Sequence, residues 1–257
     1  MTPHQKLTAL RTIVTKEILR FARIWIQTVL PPMITTALYF IIFGNLIGSQ
    51  IGDMDGFRYM EFIIPGLIMM SVITNSYANV VSSFYGSKFQ RHIEEMLISP
   101  VPNYIILIGF VAGGVTRGLI VGIAVTLVSL IFSPLSIFNL WVMLSMIVLT
   151  AILFALAGFI NGAYARNFDD ISIIPTFVLT PLTYLGGIFY SISMLPEFWQ
   201  KASLANPILY MINAFRYGFL GITDISLLAS YSISIGFILI LYTFSIHLLR
   251  KGQGIKT

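Results

Sequence analysis

Arg117 is the residue that most demands a chemical account. It is the one charge deep inside an apolar run, YIILIGFVAGGVTRGLIVGIAVTLVSLIF. An arginine at the centre of a membrane helix costs about 2.5–3.5 kcal/mol on insertion scales, so it needs a partner or a wet cavity. Two readings stand: snorkelling of the long side chain toward the nearer membrane face, or a place on a polar route. Asn75 and Asn79 are four apart and so share a helix face. Such amides either glue helices together or meet a ligand. The other candidates for chemistry are thin. His4, His92 and His247 are far apart and form no H-E-x-x-H. The acid pairs Glu94-Glu95 and Asp169-Asp170 could make a carboxylate dyad, but solvated loop charges fit them better. There is no G-x-x-x-x-G-K-[ST], hence no phosphate cradle of that kind. The chain has no cysteine, which removes disulfides, iron–sulfur clusters and thiol catalysis. Catalysis by this polypeptide has little support.

The elements that must hold these residues are membrane helices. The chain is 57% hydrophobic and 10% charged, with mean hydropathy +0.89, whereas soluble domains carry about 25% charged residues. Apolar runs predict six spans: Trp25–Ile47, Phe62–Tyr85, Tyr104–Phe132, Asn139–Gly162, Ile171–Tyr190 and Leu227–Leu249. Pro31-Pro32 bends the first span or marks where it begins. The basic region ahead of that span is too long for a cleavable signal peptide, so the span is expected to be permanent. With no repeat and no linker, the expected architecture is one all-α polytopic domain over residues 1–257.

Lysine and arginine placement sets the expected orientation. An even number of crossings puts both ends on one side. That side holds Lys6, Arg11, Lys16, Arg20, Arg23, Lys88, Arg91, Arg166, Arg250, Lys251 and Lys256. The other holds Arg58, Lys201 and Arg216. The bias makes both termini cytoplasmic. The net charge of +5 is thus an insertion signature, and nucleic-acid binding is not expected.

Three stretches outside the spans carry pattern. Residues 5–23 place Leu7, Leu10, Val14, Ile18 and Phe21 at helical spacing among basic residues, as in a helix lying on anionic lipid. Residues 86–100 place Phe89, Ile93, Met96 and Leu97 on one face, with Arg91, Glu94 and Glu95 around them, until Pro100 and Pro102 stop the helix. This helix either rests on headgroups or inserts into a cleft on a cytoplasmic partner. The connection with Arg166 and Asp169 would be a smaller contact of the same kind. The third stretch, Gly186–Gly221, is mostly apolar yet broken by Pro196 and Asn206-Pro207. It predicts short helices at Glu197–Leu204 and Tyr210–Tyr217, within a hairpin over 192–218. Broken backbone at membrane depth is tolerated only inside protein or beside a water-filled cavity.

The segments TKEILRFAR, FQRHIEEMLISPVP and LPEFWQKASLANPILYMINAFRYG resemble those of the ABC-2 family of transporter permeases, notably its small bacterial exporters of the nodulation-export type. The likeness covers nearly the whole chain, and its most specific part is the LPE…NP…R segment. It implies an inner-membrane permease that pairs as a homodimer and carries two copies of a separate ABC ATPase. The partner binds ATP; this chain holds no cofactor. Residues 5–23 match the family's connecting helix. Residues 86–100 match its coupling helix, with ATPase contacts carried onto Phe89, Arg91, Glu94 and Glu95. The hairpin matches its outward gate, carried onto Pro196, Trp199, Asn206, Pro207, Tyr210 and Arg216. Energy would then come from another polypeptide, and the cargo would be amphiphilic: a drug, lipid or glycan. The competing class is an ion-coupled secondary transporter, which needs membrane-embedded ionisable groups; Arg117 alone qualifies.

Overall fold

A computed structural model describes residues 1–252. Lys256, counted above for orientation, lies outside the described residues. Helix α1 (Pro3–Ala22) opens with a reciprocal cap. Thr2 Oγ1 accepts the Gln5 N–H and Gln5 Oε1 accepts the Thr2 N–H, so two orphan donors of the first turn are satisfied. Helix α2 (Trp25–Tyr39) contains Pro31 and Pro32 and widens into a π-helical run, Phe40–Ile47, before the single turn α3 (Gly48–Ile51). A two-residue hairpin follows, β1 (Asp53–Met54) against β2 (Phe57–Arg58). Its turn residues Asp55 and Gly56 have φ of 50° and 84°, the geometry Asp-Gly favours in tight hairpins. The Asp-Gly pair between short extended segments is the sequence signal for this turn.

Helix α4 (Tyr59–Phe89) is the hub. Helices α6 (Asn103–Phe132) and α7 (Leu140–Tyr164) clasp it, and α12 (Leu227–Lys251) covers α7. In lipid, apolar surface alone does not hold helices together; close backbone approach does. Here glycines provide it. A Cβ at Gly158 would stand 2.5 Å from the Tyr77 carbonyl oxygen, and one at Gly114 would stand 2.9 Å from that of Ser76. Gly118, Gly122 and Gly162 continue the two stripes against α4.

Between α4 and α6 the short helix α5 (His92–Ile98) turns across the bundle end. The single helix expected over 86–100 is therefore two. α4 continues to Phe89, the chain breaks at Gln90-Arg91, and α5 starts afresh. After α7 come α8 (Asp170–Ile174), a π-turn at Pro175–Leu179, and α9 (Thr180–Tyr184). They run on without a break as one helical stretch over 170–184, which covers most of the expected span Ile171–Tyr190. The stretch is shorter than the roughly 20 residues of a straight crossing. Pro175 and Pro181 disturb the ladder, and Gly187, at φ 74°, turns the chain away. Helices α10 (Glu197–Leu204) and α11 (Pro207–Leu220) complete the chain order before α12. α11 begins at Pro207, ahead of the expected Tyr210, because the Asn206 side chain caps it.

Among the described residues five helical stretches are long and apolar enough to cross a membrane: Trp25–Gly44, Tyr59–Phe89, Asn103–Phe132, Leu140–Tyr164 and Leu227–Lys251. The chain is an all-α polytopic membrane protein. One core group, including Ile13, Ile93, Ile106, Phe110 and Leu249, gathers α1, α5 and the end of α12 at one end of the bundle. The other, including Tyr59, Phe62, Ile188, Ile212 and Phe215, fills the far end and the middle.

Candidate functional site

The end bearing α1 and α5 presents a rigid surface with free charges. Arg91 is left-handed, φ 61°, which is uncommon for a non-glycine residue. It redirects the chain so that Ile93 is wholly buried while Phe89, at 65%, and Ile98, at 87%, stay exposed. Glu94 and Glu95 occupy the first turn of α5, where negative charge suits the helix dipole. The second connection is brought alongside. Phe168, 57% exposed, meets Tyr85 edge-on at 4.9 Å and Phe89 at 5.3 Å. Tyr85 Oη donates to the Arg166 carbonyl at 3.1 Å. Lys88 Nζ donates to the carbonyls of Ala163 and Ala165 at 2.8 and 2.7 Å, satisfying the end of α7. Asp170 Oδ2 accepts the N–H groups of Arg166 and Asn167. These bonds tie both connections to α4 and α7. Among the described residues none of Arg91, Glu94, Glu95, Arg166 and Asp169 enters an ion pair. Exposed Ile98 stands outside the expected contact residues, while Phe168 lies within the connection expected to make the smaller contact.

At mid-bundle the polar residues form bridges. Arg117 Nη2 donates to Asn75 Oδ1 at 3.2 Å. Both residues lie near the middle of their helices, so Arg117 reaches sideways to α4 instead of snorkelling. Asn79 serves α1: Arg20 Nη2 donates to its Oδ1 at 2.7 Å and to its carbonyl at 2.8 Å. Glu17, fully buried, has Lys16 Nζ 3.6 Å and Arg20 Nε 3.5 Å from its carboxylate oxygens. Its Cβ sits where one on Gly113 would, 2.5 Å away, and Ile13 lies likewise against Gly109. So the face of α1 that docks is Ile13, Glu17 and Phe21. Of the expected stripe, Phe21 lies on it and Leu10 packs partly buried against the same core, while Leu7 is exposed. The missed signal is spacing: Ile13/Glu17 and Gly109/Gly113 are both four apart, a ridge and its groove.

The far end is closed by the α10–α11 hairpin. Pro196 precedes α10 and is exposed, as is Trp199, whose ring meets Phe198 edge-on. Asn206 is buried; its Oδ1 accepts the Ile208 N–H at 3.0 Å and its Nδ2 donates to the Leu182 carbonyl at 2.6 Å. That second bond ties the hairpin to α9. Pro207 fills the first turn of α11, where its missing N–H costs nothing. Tyr210 Oη donates to the Leu204 carbonyl at 2.8 Å, bracing α10 on α11. Arg216 is 1% exposed. It donates to the Gly187 carbonyl and lies over the Phe62 ring, 3.9 Å from its centroid. It floors a cavity of about 420 Å³ rimmed by Asp55 and Asp224. The hairpin residues thus converge on α4, α9 and one another. The end-surface residues lie in a separate group.

Residues 8–220 match the family described as ABC-2 type transporter. The chain is 59% identical to inner membrane transport permease YadH of Escherichia coli K12, over 99% of both chains. It is 25% identical to nodulation protein J of Rhizobium leguminosarum bv. viciae over 76% of each chain. Against nodulation protein J of Sinorhizobium fredii it is 28% identical, over 70% of this chain and 69% of the relative. A bundle of apolar helices with a charged aromatic surface at one end and a braced hairpin at the other, matched along nearly its whole length, belongs to the ABC-2 type transporter family and is a transport permease.

Proposed function

We propose that this permease is the membrane half of an ATP-driven exporter. Two copies pair in the bacterial inner membrane, with both termini in the cytoplasm, and each carries one copy of a separate ABC ATPase. The single observation that supports this most is the end surface. Phe89, Ile98 and Phe168 are exposed there beside Arg91, Glu95 and Asp169, on a frame bonded to α4 and α7 through Lys88 and Tyr85. Exposed aromatics ringed by unpaired charges suit a protein partner better than lipid. A push on such a frame would reach α4 as a rigid displacement, which alternative packings can convert into opening. The α10–α11 hairpin would be the outward gate, and α1 would hold the cytoplasmic interface. The cargo would be amphiphilic, passing between protomers.

The test is reconstitution with the ATPase. The permease alone should hydrolyse no ATP, and the complex should. Phe89→Ala with Phe168→Ala should leave insertion intact and weaken ATPase binding roughly tenfold or more, as for central aromatic anchors. Binding unchanged by that pair would remove this interface. Cargo moved by an ion gradient without nucleotide would favour a secondary transporter.

A further inference from the structure

A cavity of about 350 Å³ lies between α2 and α4, with Arg117 of α6 in its wall. Its chemistry is unusual for membrane depth. Thr28, Thr35, Thr36, Ser71 and Thr74 line it beside apolar Leu67 and Met70. Pro31 and Pro32 also line it and have no N–H. The carbonyls of Gln27 and Thr28 therefore lose their usual helical donors, four residues on. Freed backbone groups within a bilayer are met by hydroxyl side chains, water or a polar ligand, so this wall is a polar one.

The charge in this wall is uncompensated. Among the described residues Arg117 bonds only to the neutral Asn75 amide, and its buried Nε has no partner among them. Arg20, of like sign, acts on it as well. Glu17, the buried carboxylate of that region, is held by Lys16 and Arg20. A guanidinium left with free donors at membrane depth calls for an anion. The cavity opens at the protein surface along α2, whose Leu30, Ile34 and Leu38 are exposed apolar side chains. An anion reaching it through lipid must carry an apolar tail.

We propose that this cavity binds amphiphiles with an anionic headgroup (phosphate, sulfate or carboxylate), seated on Arg117, with the tail lying along α2. Taken as a cargo site, it rests on the export reading above and narrows the cargo to that class.

The absence of cysteine gives a clean reporter. Thr74→Cys, on the exposed part of the wall, is labelled with a maleimide in phosphatidylcholine nanodiscs. Dodecyl phosphate should slow labelling. Dodecyl maltoside, with the tail but no charge, and inorganic phosphate, with the charge but no tail, should not. Arg117→Gln should weaken dodecyl phosphate protection roughly ten- to hundredfold, the range for a lost charge-assisted hydrogen bond. Arg117→Lys should retain much of it. The unliganded labelling rate checks that each variant keeps its wall, and the lysine variant tests the charge should the glutamine variant fail to fold. Equal protection by dodecyl maltoside would make this a plain apolar groove. Protection by inorganic phosphate would make it a free-ion site. No protection by dodecyl phosphate, or protection indifferent to Arg117→Gln, would also overturn the proposal. Labelling needs neither ATPase nor transport, so its failure leaves the export reading standing, and the reverse.

Discussion

Helix α4 and the stretch Trp25–Gly44, α2 with its π-helical continuation, are both apolar and long enough to cross a membrane, yet 83% of the most apolar window of α4 is buried and only 17% of that of the α2 stretch. Composition does not separate them. What separates them is the partner. α4 faces glycine stripes on α6 and α7, so its backbone lies against theirs. α2 holds two prolines, a π-helical run and a row of exposed aliphatic side chains. The pieces α8 and α9 share that character, with their own prolines and π-turn. One part of the molecule is therefore locked, and the other leans on it. A permease that must change shape needs both, and the locked part is the one joined to α5.

The largest expected effect comes from breaking the lock that fastens α1 to this core. Arg20→Ala removes the bonds to Asn79 and leaves Glu17 buried with one cation fewer. Breaking a buried ion pair costs about 3–5 kcal/mol, an upper bound here because Lys16 still stands 3.6 Å from Glu17. Unfolding in mixed micelles should show the loss. Glu17→Gln in the same chain should recover part of it, because the abandoned carboxylate is gone. If the double variant is no better than Arg20→Ala, the carboxylate is not the source of the cost.

That lock shows how far the residues could be read beforehand. Span existence and end-to-end order follow from apolar runs of the needed length, and the α10 helix follows from Pro196 and Asn206-Pro207. The break at Arg91 is not legible because a non-glycine residue there takes left-handed backbone, whereas the turn at Gly187 is signalled by the Gly186-Gly187 pair. The docking face of α1 differs from the expectation because the apolar stripe reads as a face laid on lipid, whereas the helix docks on α6 through Ile13, Glu17 and Phe21. Here the protein-facing side includes Glu17, made tolerable by Lys16 and Arg20 and by the room left by Gly113. Arg117 was recognised as needing a partner; which residue supplied it could not be read without the pairing of α6 with α4.

The next effect tests the glycine clasp itself. Gly158→Ala puts a methyl group 2.5 Å from a backbone oxygen of α4, which cannot move aside as a side chain can. Overpacking of this kind costs about 1–3 kcal/mol. Gly236→Ala on α12 meets nothing within 4 Å and replaces glycine by a better helix former, so it should be neutral or stabilising by up to about 1 kcal/mol. Thermal unfolding of the two side by side is the measurement. Equal effects would mean that the stripes are compositional and do not clasp α4.

The smallest effect belongs to the leaning part. Tyr39 and Tyr184 join their hydroxyls at 3.0 Å, and with Phe43 and Phe189 they form the aromatic contact that connects α2 to α9. Tyr184→Phe keeps the ring and removes one hydrogen bond, worth about 0.5–1.5 kcal/mol. Global stability should hardly register it, because the contact sits at the margin of the core, with Tyr39, Phe43 and Phe189 only partly buried against it. Local opening should register it, because few other bonds hold the two helices together there. Amide exchange should therefore quicken in Phe40–Ile47 and Pro175–Leu179 while α4 stays as protected as before. Faster exchange in α4 to the same degree would mean that the rim and the core open together, and the division between a locked and a leaning part would not stand.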